Sequence, residues 1–349
     1  MVDGNLVTIM NTSLAIKRLR QVIRRQHKAI STESSYVYWL KQYMDALVSM
    51  PEYPSSEKKI ERFLTSLACR RNVSASTQNQ AFNAIVFFYQ QVLEQPLENI
   101  NALRANRPAH LRHAPSVAET QALLNTIEDL SGYPTNLVAR MLYGCGLRVS
   151  EPLNLRIKDV NLERSSLVIR GAKGGKDRVV SLPNSLVPDL IQQMKRAHIL
   201  WRRDHHESIP VTLPNNLAKK YPEYQFSWPW AWVFPSRNTC RHPRTGQIVR
   251  YRMHEANVQR AVKNARRKLG ISVLPHELRH GYATHCLQRG VNPRAIQQAM
   301  GHASLETTMG YLHSESLNVE SPLETISNVL KVDMTSSNPI FWGKNSRST

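Results

Sequence analysis

Apolar residues recur every three or four positions through most of the first hundred residues. This period places them on one face of an α-helix, so we predict four successive helices between residues 13 and 103. The four segments are LAIKRLRQVIRRQH, TESSYVYWLKQYMDALVSM, SSEKKIERFLTSLACRR and SASTQNQAFNAIVFFYQQVLE. Four helices without an intervening strand pattern predict a small helical bundle.

A second region begins after a break in this pattern. Residues 104–115, RANRPAHLRHAP, lack apolar periodicity and are rich in Arg and Pro, which predicts a basic linker. Beyond it, helical patterns surround one alternating stretch, SLVIRGAKGGKDRVVSLP, which predicts two strands joined by a glycine-rich turn. We therefore expect a two-domain, mainly α protein with a small β-sheet, of the α+β class.

The charge of the chain is strongly unbalanced. Its 349 residues include 46 Lys and Arg against 26 Asp and Glu, which leaves a net charge of +20 at pH 7. Such an excess favours a polyanionic partner, and a nucleic acid is the one we expect. The first helix supplies Lys17, Arg24 and Arg25 as candidate contacts to a nucleic-acid backbone. A solvated helix face is the alternative for these residues.

An aromatic segment interrupts the second region at residues 213–235, LPNNLAKKYPEYQFSWPWAWVFP. Aromatic rings beside cations are suited to stacking unpaired bases and holding the flanking phosphates. Lys219, Lys220, Trp228 and Trp232 are the candidate DNA contacts in this segment. The alternative is that most of these rings pack a local core.

Two further features of the composition narrow the class of protein. The chain has no run of about 18 apolar residues and no secretory signal pattern, so we expect a cytoplasmic protein without a membrane partner. Its four cysteines are scattered without a C-x-x-C pair, which argues against a disulfide framework or a cysteine zinc site.

Side chains suited to phosphate chemistry concentrate between residues 273 and 313. His276, Arg279 and His280 have the spacing of one helix face, and Pro275 fits the first turn of that helix. With two residues from earlier in the chain, this region supplies the groups that a phosphodiester transesterification without metal or nucleotide requires. Those groups are Arg148, Lys173, His276, Arg279, His302 and Tyr311.

Each of these residue types has a distinct use in that reaction. Guanidinium groups stabilise the extra negative charge of a pentacoordinate phosphate through paired hydrogen bonds. A phenol attacks the phosphorus once an imidazole accepts its proton. A lysine ammonium protonates the departing alkoxide, and the covalent phosphotyrosine conserves the bond energy, so that the strand is rejoined without ATP.

The motifs that surround these residues resemble those of the tyrosine site-specific recombinases, and within them the integron integrases. The resemblance covers residues 15–325, and the aromatic segment at about 213–235 looks like the insertion of the integron integrases. The motifs are LYGCGLRVSEPLNL, GAKGGKDR, HELRHGYATH, MGHASLETTMGYLH and VESPLE.

The resemblance implies a role for each matching residue. Arg148 and Arg279 would clamp the phosphate, and Glu151 would support the site. His276 would act as the general base. The remaining matches are Lys173 as the general acid on the 5′-oxygen, His302 as a hydrogen-bond donor to the phosphate, and Tyr311 as the nucleophile that forms a 3′-phosphotyrosine.

The resemblance also implies an organisation and a biological activity. It suggests a core-binding, SAM-like domain over residues 13–103, a catalytic domain over 116–320 and a C-terminal tail over 321–349 that docks on a neighbour. The two domains would form a C-shaped clamp around DNA and assemble as a homotetramer. Such an enzyme would insert and excise gene cassettes at attachment sites, either double-stranded or folded from a single strand.

The chain departs from the family pattern at four positions. The family usually has Thr where this chain has Glu277, and glycine where it has Ala172. Gly310 and Leu312 replace the β-branched apolar residue and the Thr that usually flank the nucleophile, and a glycine costs about 1 kcal/mol relative to alanine in a helix. All six chemical positions are filled, so we expect activity, with reduced activity as the alternative.

Two other interpretations come from the same residues. HELRH also fits H-E-x-x-H, in which His276 and His280 bind zinc and Glu277 acts as the base of a metalloprotease. Arg279 would then place a cation beside the metal, and the net positive charge suits a nucleic acid better. The second alternative is a DNA-binding clamp of the same fold that has lost cleavage.

Overall fold

The computed structural model describes residues 11–50, 55–99, 114–171, 177–214, 217–302 and 304. The chain divides into two compact units, residues 1–110 and 111–349. This division falls within the segment predicted to be a linker, of which residues 104–113 lie outside the described ranges. The C-terminal tail, 321–349, also lies outside them.

The described part of the first unit consists of four helices and their connections, as the apolar periodicity predicts. Its helices are α1 (Thr12–Arg25), α2 (Ile30–Val48), α3 (Ser56–Arg71) and α4 (Ala75–Val92). Local sequence sets where they begin, because side chains of Asn11, Ser55 and Ser74 accept backbone N–H bonds from the first turns of α1, α3 and α4.

The core of the first unit lies among these four helices. On α1, Ala15, Leu19 and Ile23 recur every four residues and are fully buried. Tyr43 of α2 and Tyr89 of α4 are also buried, and their hydroxyls are hydrogen-bonded at 2.9 Å. This bond satisfies two phenols that would otherwise be costly to bury.

The second unit combines helices with two small sheets. Its helices are α5 (Val117–Thr126), α6 (Thr135–Gly144), α7 (Ser150–Leu153), α8 (Val187–His206), α9 (Leu217–Lys220), α10 (Glu255–Leu269), α11 (Pro275–Gln288) and α12 (Pro293–Met300). Its strands are β1 (Val160–Asn161), β2 (Ser166–Ile169), β3 (Arg178–Ser181), β4 (Cys240–Arg241) and β5 (Ile248–Val249). The expectation of a mainly helical protein with a small β-sheet is confirmed.

The larger sheet is antiparallel with the strand order β1-β2-β3. Leu167 pairs with Val180, and both face the core, whereas Val179 is exposed. The two strands predicted from alternation are β2 and β3, and the turn between them includes residues 172–176, outside the described part. β4 and β5 form a separate pair that the sequence interpretation missed, because strands of two residues are too short for a periodicity.

Gly146 allows a sharp bend between α6 and α7. The structure ends α6 at Gly144. Gly146 has a φ of +61°, and a Cβ there would lie 2.5 Å from Cδ1 of Tyr282. Both the left-handed backbone and the close ring therefore require glycine at this position.

We expect Gly146→Ala to destabilise the second unit by about 2–4 kcal/mol, the sum of a left-handed backbone and an overpacked contact. Urea unfolding followed by circular dichroism measures this loss. Gly270→Ala is the matched control, because Gly270 has a φ of +66° with no neighbouring atom within 4 Å of its Cβ position. It should lose only about 1 kcal/mol. Equal losses in the two variants would show that the contact with Tyr282 has no cost.

Candidate active site

A single buried carboxylate, that of Glu151 on α7, lies at the centre of the candidate site. Glu151 is 7% exposed. Its Oε1 accepts a hydrogen bond from Nη1 of Arg148 at 2.9 Å, and its Oε2 accepts one from the Arg148 backbone N–H at 2.8 Å. Nη1 of Arg279 lies 3.6 Å from the same Oε2. Two arginines that are far apart in the sequence therefore meet at one carboxylate.

A third arginine, Arg178 at the start of β3, completes the cluster. Its Nη1 donates to Oε1 of Glu151 at 2.9 Å and its Nη2 to Oε2 at 2.7 Å. The sequence interpretation missed Arg178 as a site residue. The available signal was its position two residues before Val180, because alternate residues of a strand share a face and Val180 faces the core.

The pKa of Glu151 lies below its ordinary value of 4.5. Burial alone would raise this pKa, because it removes the charged form from water. Hydrogen bonds from the Arg178 side chain and the Arg148 backbone, and the positive charges of Arg178 and Arg279, outweigh burial. Glu151 is therefore ionised at neutral pH.

This shift predicts an acid-sensitive contribution to stability. Because the folded-state pKa is lowered, the contribution is complete above pH 4.5 and is lost as the pH falls through the folded-state value. We expect Glu151→Gln to show a smaller fall in the urea midpoint than the wild type between about pH 6 and pH 3.5. Parallel curves for the two proteins would contradict this assignment.

Arg279 is the most deeply buried arginine of the cluster, at 1% exposed. It lies on α11, which begins at Pro275 as the sequence predicts. Its Nη1 donates to the carbonyl of Gly146 and its Nη2 to that of Met300, both at 2.6 Å. These bonds join the bend after α6 to the last residue of α12.

The two histidines of α11 are in contact with each other. His276 is exposed, whereas His280 is 9% exposed, and their rings meet edge to face with centroids 4.4 Å apart. Because His276 lies three residues before Arg279, it shares one helix face with the arginine. The arrangement leaves an exposed imidazole near the buried guanidinium.

Glu277, which departs from the resembled family, has a local structural role. Its Oε2 accepts a hydrogen bond from the backbone N–H of Leu274 at 2.6 Å and so caps the N-terminus of α11. The zinc interpretation of H-E-x-x-H is not supported, since this carboxylate is engaged at the cap. The described residues also contain no group of three or more His, Cys, Asp or Glu side chains placed to hold a metal.

His302 follows the end of α12 directly. Gly301 ends the helix with a φ of +63°, a left-handed conformation that suits glycine. The backbone N–H of His302 donates to the carbonyl of Gln297 at 3.1 Å, which holds the residue against the last turn of α12. His302 lies two residues after Met300, whose carbonyl accepts a hydrogen bond from Arg279.

The structure thus brings together Arg148, Glu151 and Arg279, with His276 and His302 on the elements beside them. The two other predicted catalytic residues, Lys173 and Tyr311, lie outside the described residues. The departures Ala172, Gly310 and Leu312 lie outside them as well.

The prediction that Trp232 stacks on a DNA base is corrected by its burial. Its side chain is 6% exposed, and the guanidinium carbon of Arg156 lies 3.1 Å from its ring centroid. Its indole N–H donates to the carbonyl of Arg250 at 3.3 Å. A ring covered in this way has no free face for a base. Trp228 is half-buried and packs against His198 and Trp201.

Other rings of the same segment form a stacked series, which we call the aromatic ladder: Trp230, Tyr224 and Tyr221. Ring centroids are 5.7 Å apart between Trp230 and Tyr224 and 5.0 Å apart between Tyr224 and Tyr221. The Nζ of Lys158 lies 2.9 Å from the Trp230 centroid. The candidates Lys219 and Lys220 are exposed on α9, beside Tyr221.

Arg156 connects this aromatic segment to the rest of the second unit. It is 7% exposed, and its guanidinium donates to the carbonyls of Trp230 at 2.7 Å and Thr212 at 2.5 Å. Its backbone N–H donates to Asp159. The sequence interpretation missed Arg156, because nothing in its local pattern distinguishes it from an exposed arginine.

The basic candidates of the first unit differ in their surroundings. Lys17 and Arg25 are exposed on α1. Arg24 is also exposed but donates to both carboxylate oxygens of Glu33 on α2, with the shortest bond at 2.7 Å. Part of its charge is therefore compensated within the unit. Among the helices that the structure describes, none has the length and apolar character needed to cross a membrane.

Comparisons with known proteins identify a family for both parts of the chain. A model described as the phage integrase family matches residues 116–317, and one described as the phage integrase N-terminal SAM-like domain matches residues 16–99. The chain is 37% identical over 317 residues to an integrase/recombinase of Escherichia coli, covering 89% of this chain and 93% of the relative. It is 27% identical over 317 residues to tyrosine recombinase XerA of Pyrococcus horikoshii, covering 90% and 94%.

Two solved structures share the fold. XerH site-specific recombinase bound to a palindromic difH substrate, in a post-cleavage complex, superposes with a TM-score of 0.55 at 20% identity, covering 93% of this chain and 86% of that one. The Tn1549 transposon integrase in complex with circular intermediate DNA gives a TM-score of 0.57 at 15% identity, covering 90% and 99%.

Proposed function

Because the chain belongs to the phage integrase family of tyrosine recombinases, which cleave and rejoin DNA strands, we propose that it is an integron-type integrase acting through Tyr311. It would insert and excise gene cassettes at attachment sites. The observation that supports the site most directly is the convergence of Arg148 and Arg279 on Glu151, next to an exposed His276.

The proposed reaction is a transesterification at one phosphodiester. The phenol oxygen of Tyr311 bonds to phosphorus while its proton passes to His276. The bond from phosphorus to the 5′-oxygen breaks, and Lys173 protonates that oxygen. The product is a 3′-phosphotyrosine and a free 5′-hydroxyl. Attack by a 5′-hydroxyl from another strand reverses these steps and releases the tyrosine.

The two arginines would bind the non-bridging oxygens of the phosphate, with His302 as a further donor. Charged donors of this kind stabilise the transition state more than the ground state, because negative charge accumulates on those oxygens. Arg148 is 25% exposed and so is open to a ligand, whereas Arg279 is held by two backbone carbonyls. We therefore expect the Arg148 guanidinium to adjust to the phosphate and the Arg279 guanidinium to keep a fixed position.

The aromatic segment supports the choice of an integron-type substrate. Its ladder of three rings and the neighbouring Lys219 and Lys220 have the chemistry needed to hold an unpaired base and its phosphates. We propose that this surface binds extrahelical bases of a folded single strand. Assembly as a homotetramer on DNA belongs to the same proposal.

The test is to incubate the purified protein with end-labelled attachment sites, each as a duplex and as a folded single strand, in buffer that contains EDTA. We expect a covalent adduct that survives denaturation, disappears after proteolysis and maps by mass spectrometry to a peptide containing Tyr311. Reaction with duplexes alone would contradict the integron-type substrate. Tight binding without any adduct would instead favour the non-catalytic clamp.

A further inference from the structure

Each of the three guanidinium nitrogens of Arg178 donates a hydrogen bond within the site. Besides its two bonds to Glu151, its Nε donates to the carbonyl of Ala299 in α12 at 2.7 Å. Its side chain is 9% exposed. Gly301 passes so close that a Cβ there would lie 3.1 Å from Cδ of Arg178. Arg178 therefore joins β3, α7 and the end of α12.

The charges in this cluster explain why a third arginine matters. Three guanidiniums surround one carboxylate, so the pair of Arg178 and Glu151 is neutral and two positive charges remain. Those two charges belong to Arg148 and Arg279, the residues proposed to bind the phosphate. Without Arg178, the carboxylate would instead offset the charge of the two phosphate-binding arginines, with little screening because Glu151 is buried.

We propose that Arg178 is a positioning residue, which neutralises and orients Glu151 so that the positive charges of Arg148 and Arg279 remain available to the phosphate. This inference rests on the proposed function. Arg178 acts on the reaction through Glu151, and its bond to the Ala299 carbonyl fixes its own position.

The hydrogen-bond geometry supports this order of roles. Arg178 occupies both carboxylate oxygens at 2.7–2.9 Å, whereas Arg279 remains 3.6 Å from the nearer one. The side chain of Arg148 makes one bond to Glu151 and keeps its other donors on a partly exposed guanidinium. Glu151 therefore pairs most closely with Arg178, whose side chain is 9% exposed, and less closely with Arg148, whose side chain is 25% exposed.

The experiment is a double-mutant cycle that removes the charge of Arg178, the charge of Glu151, or both, with the variants Arg178→Gln, Glu151→Gln and the double variant. Single-turnover adduct formation is measured on a nicked duplex site that the wild type cleaves, and the rate is expressed per folded molecule. We expect Arg178→Gln to react about 100-fold more slowly, with the Kd for DNA changed less than about threefold. Arg178→Lys keeps the charge, and we expect it to react within about tenfold of the wild type.

The double variant distinguishes this role from a purely structural one. When residue 151 carries no charge, loss of Arg178 no longer leaves a carboxylate that offsets the charges of Arg148 and Arg279. The double variant should therefore react within about threefold of Glu151→Gln. A double variant that reacts about 30-fold or more slowly than Glu151→Gln would overturn the inference. This comparison still decides the question if Arg178→Gln alone does not fold.

A matched control is available in the same unit. Arg250 and Asp204 form another buried bidentate pair, with bonds of 2.7 and 2.5 Å and side chains 7% and 5% exposed. Arg250→Gln should lower the melting temperature and leave the adduct rate per folded molecule unchanged. An Arg178→Gln rate equal to that of Arg250→Gln would overturn the inference. A wild type without adduct would contradict the proposed function, and this inference with it.

Discussion

We expect Tyr311→Phe to bind attachment-site DNA as tightly as the wild type and to form no covalent adduct. The phenol oxygen is the atom that bonds to phosphorus in the proposed reaction, and phenylalanine lacks it. Loss of a nucleophile costs at least about 10⁴-fold in rate, so the adduct should fall below detection. Denaturing gels measure the adduct, and fluorescence anisotropy measures the Kd.

Tyr282→Phe is the control for this prediction. Tyr282 lies on α11, its ring packs beside Gly146, and burial raises its pKa to about 12. Its phenol is therefore harder to ionise than an exposed one. We expect Tyr282→Phe to form the adduct within about twofold of the wild-type yield, since only the hydroxyl of a partly buried ring is removed. An adduct that persists in Tyr311→Phe and is lost in Tyr282→Phe would reassign the nucleophile.

Arg279→Met should reduce both activity and stability. The variant removes a phosphate donor, for which we expect a loss of about 10³-fold in adduct rate. It also leaves the carbonyls of Gly146 and Met300 without the bonds that Arg279 donates. Breaking a buried charged network costs about 3–5 kcal/mol, so the melting temperature of the second unit should fall by about 10 °C.

Arg148→Met separates these two effects. Arg148 is 25% exposed, and its backbone N–H still reaches Glu151 after the side chain is shortened. We expect a similar loss of rate, of about 10³-fold, with a melting temperature within about 3 °C of the wild type. Calorimetry measures the melting temperatures of Arg279→Met and Arg148→Met, and single-turnover kinetics measures their adduct rates. Unchanged rates per folded molecule in both variants would contradict a phosphate clamp.

The helices were predictable from the sequence to within a few residues at most ends. Apolar residues at helical spacing mark α1 to α4, and residues such as Ser55, Ser74 and Pro275 mark where helices begin. These signals are local, because a helix satisfies its own backbone hydrogen bonds and its caps are near in sequence. The short strands β4 and β5 gave no such signal.

The site was predictable as a set of residues but not as a network. The spacing of His276 and Arg279 and the motif around Arg148 identify phosphate chemistry. The pairing of Glu151 with Arg178 does not follow from spacing, because 27 residues and a turn separate them. Likewise, Trp232 was expected at a DNA surface and is covered by Arg156 instead.

By itself, the sequence determined that the protein is mainly helical and basic, and it contained the motifs of the tyrosine recombinases. Only the tertiary structure decided which arginines share the Glu151 carboxylate and that the Trp232 ring is buried. The physical reason is that helix periodicity and capping act within a few residues, whereas charge pairing and ring burial depend on elements distant in the chain.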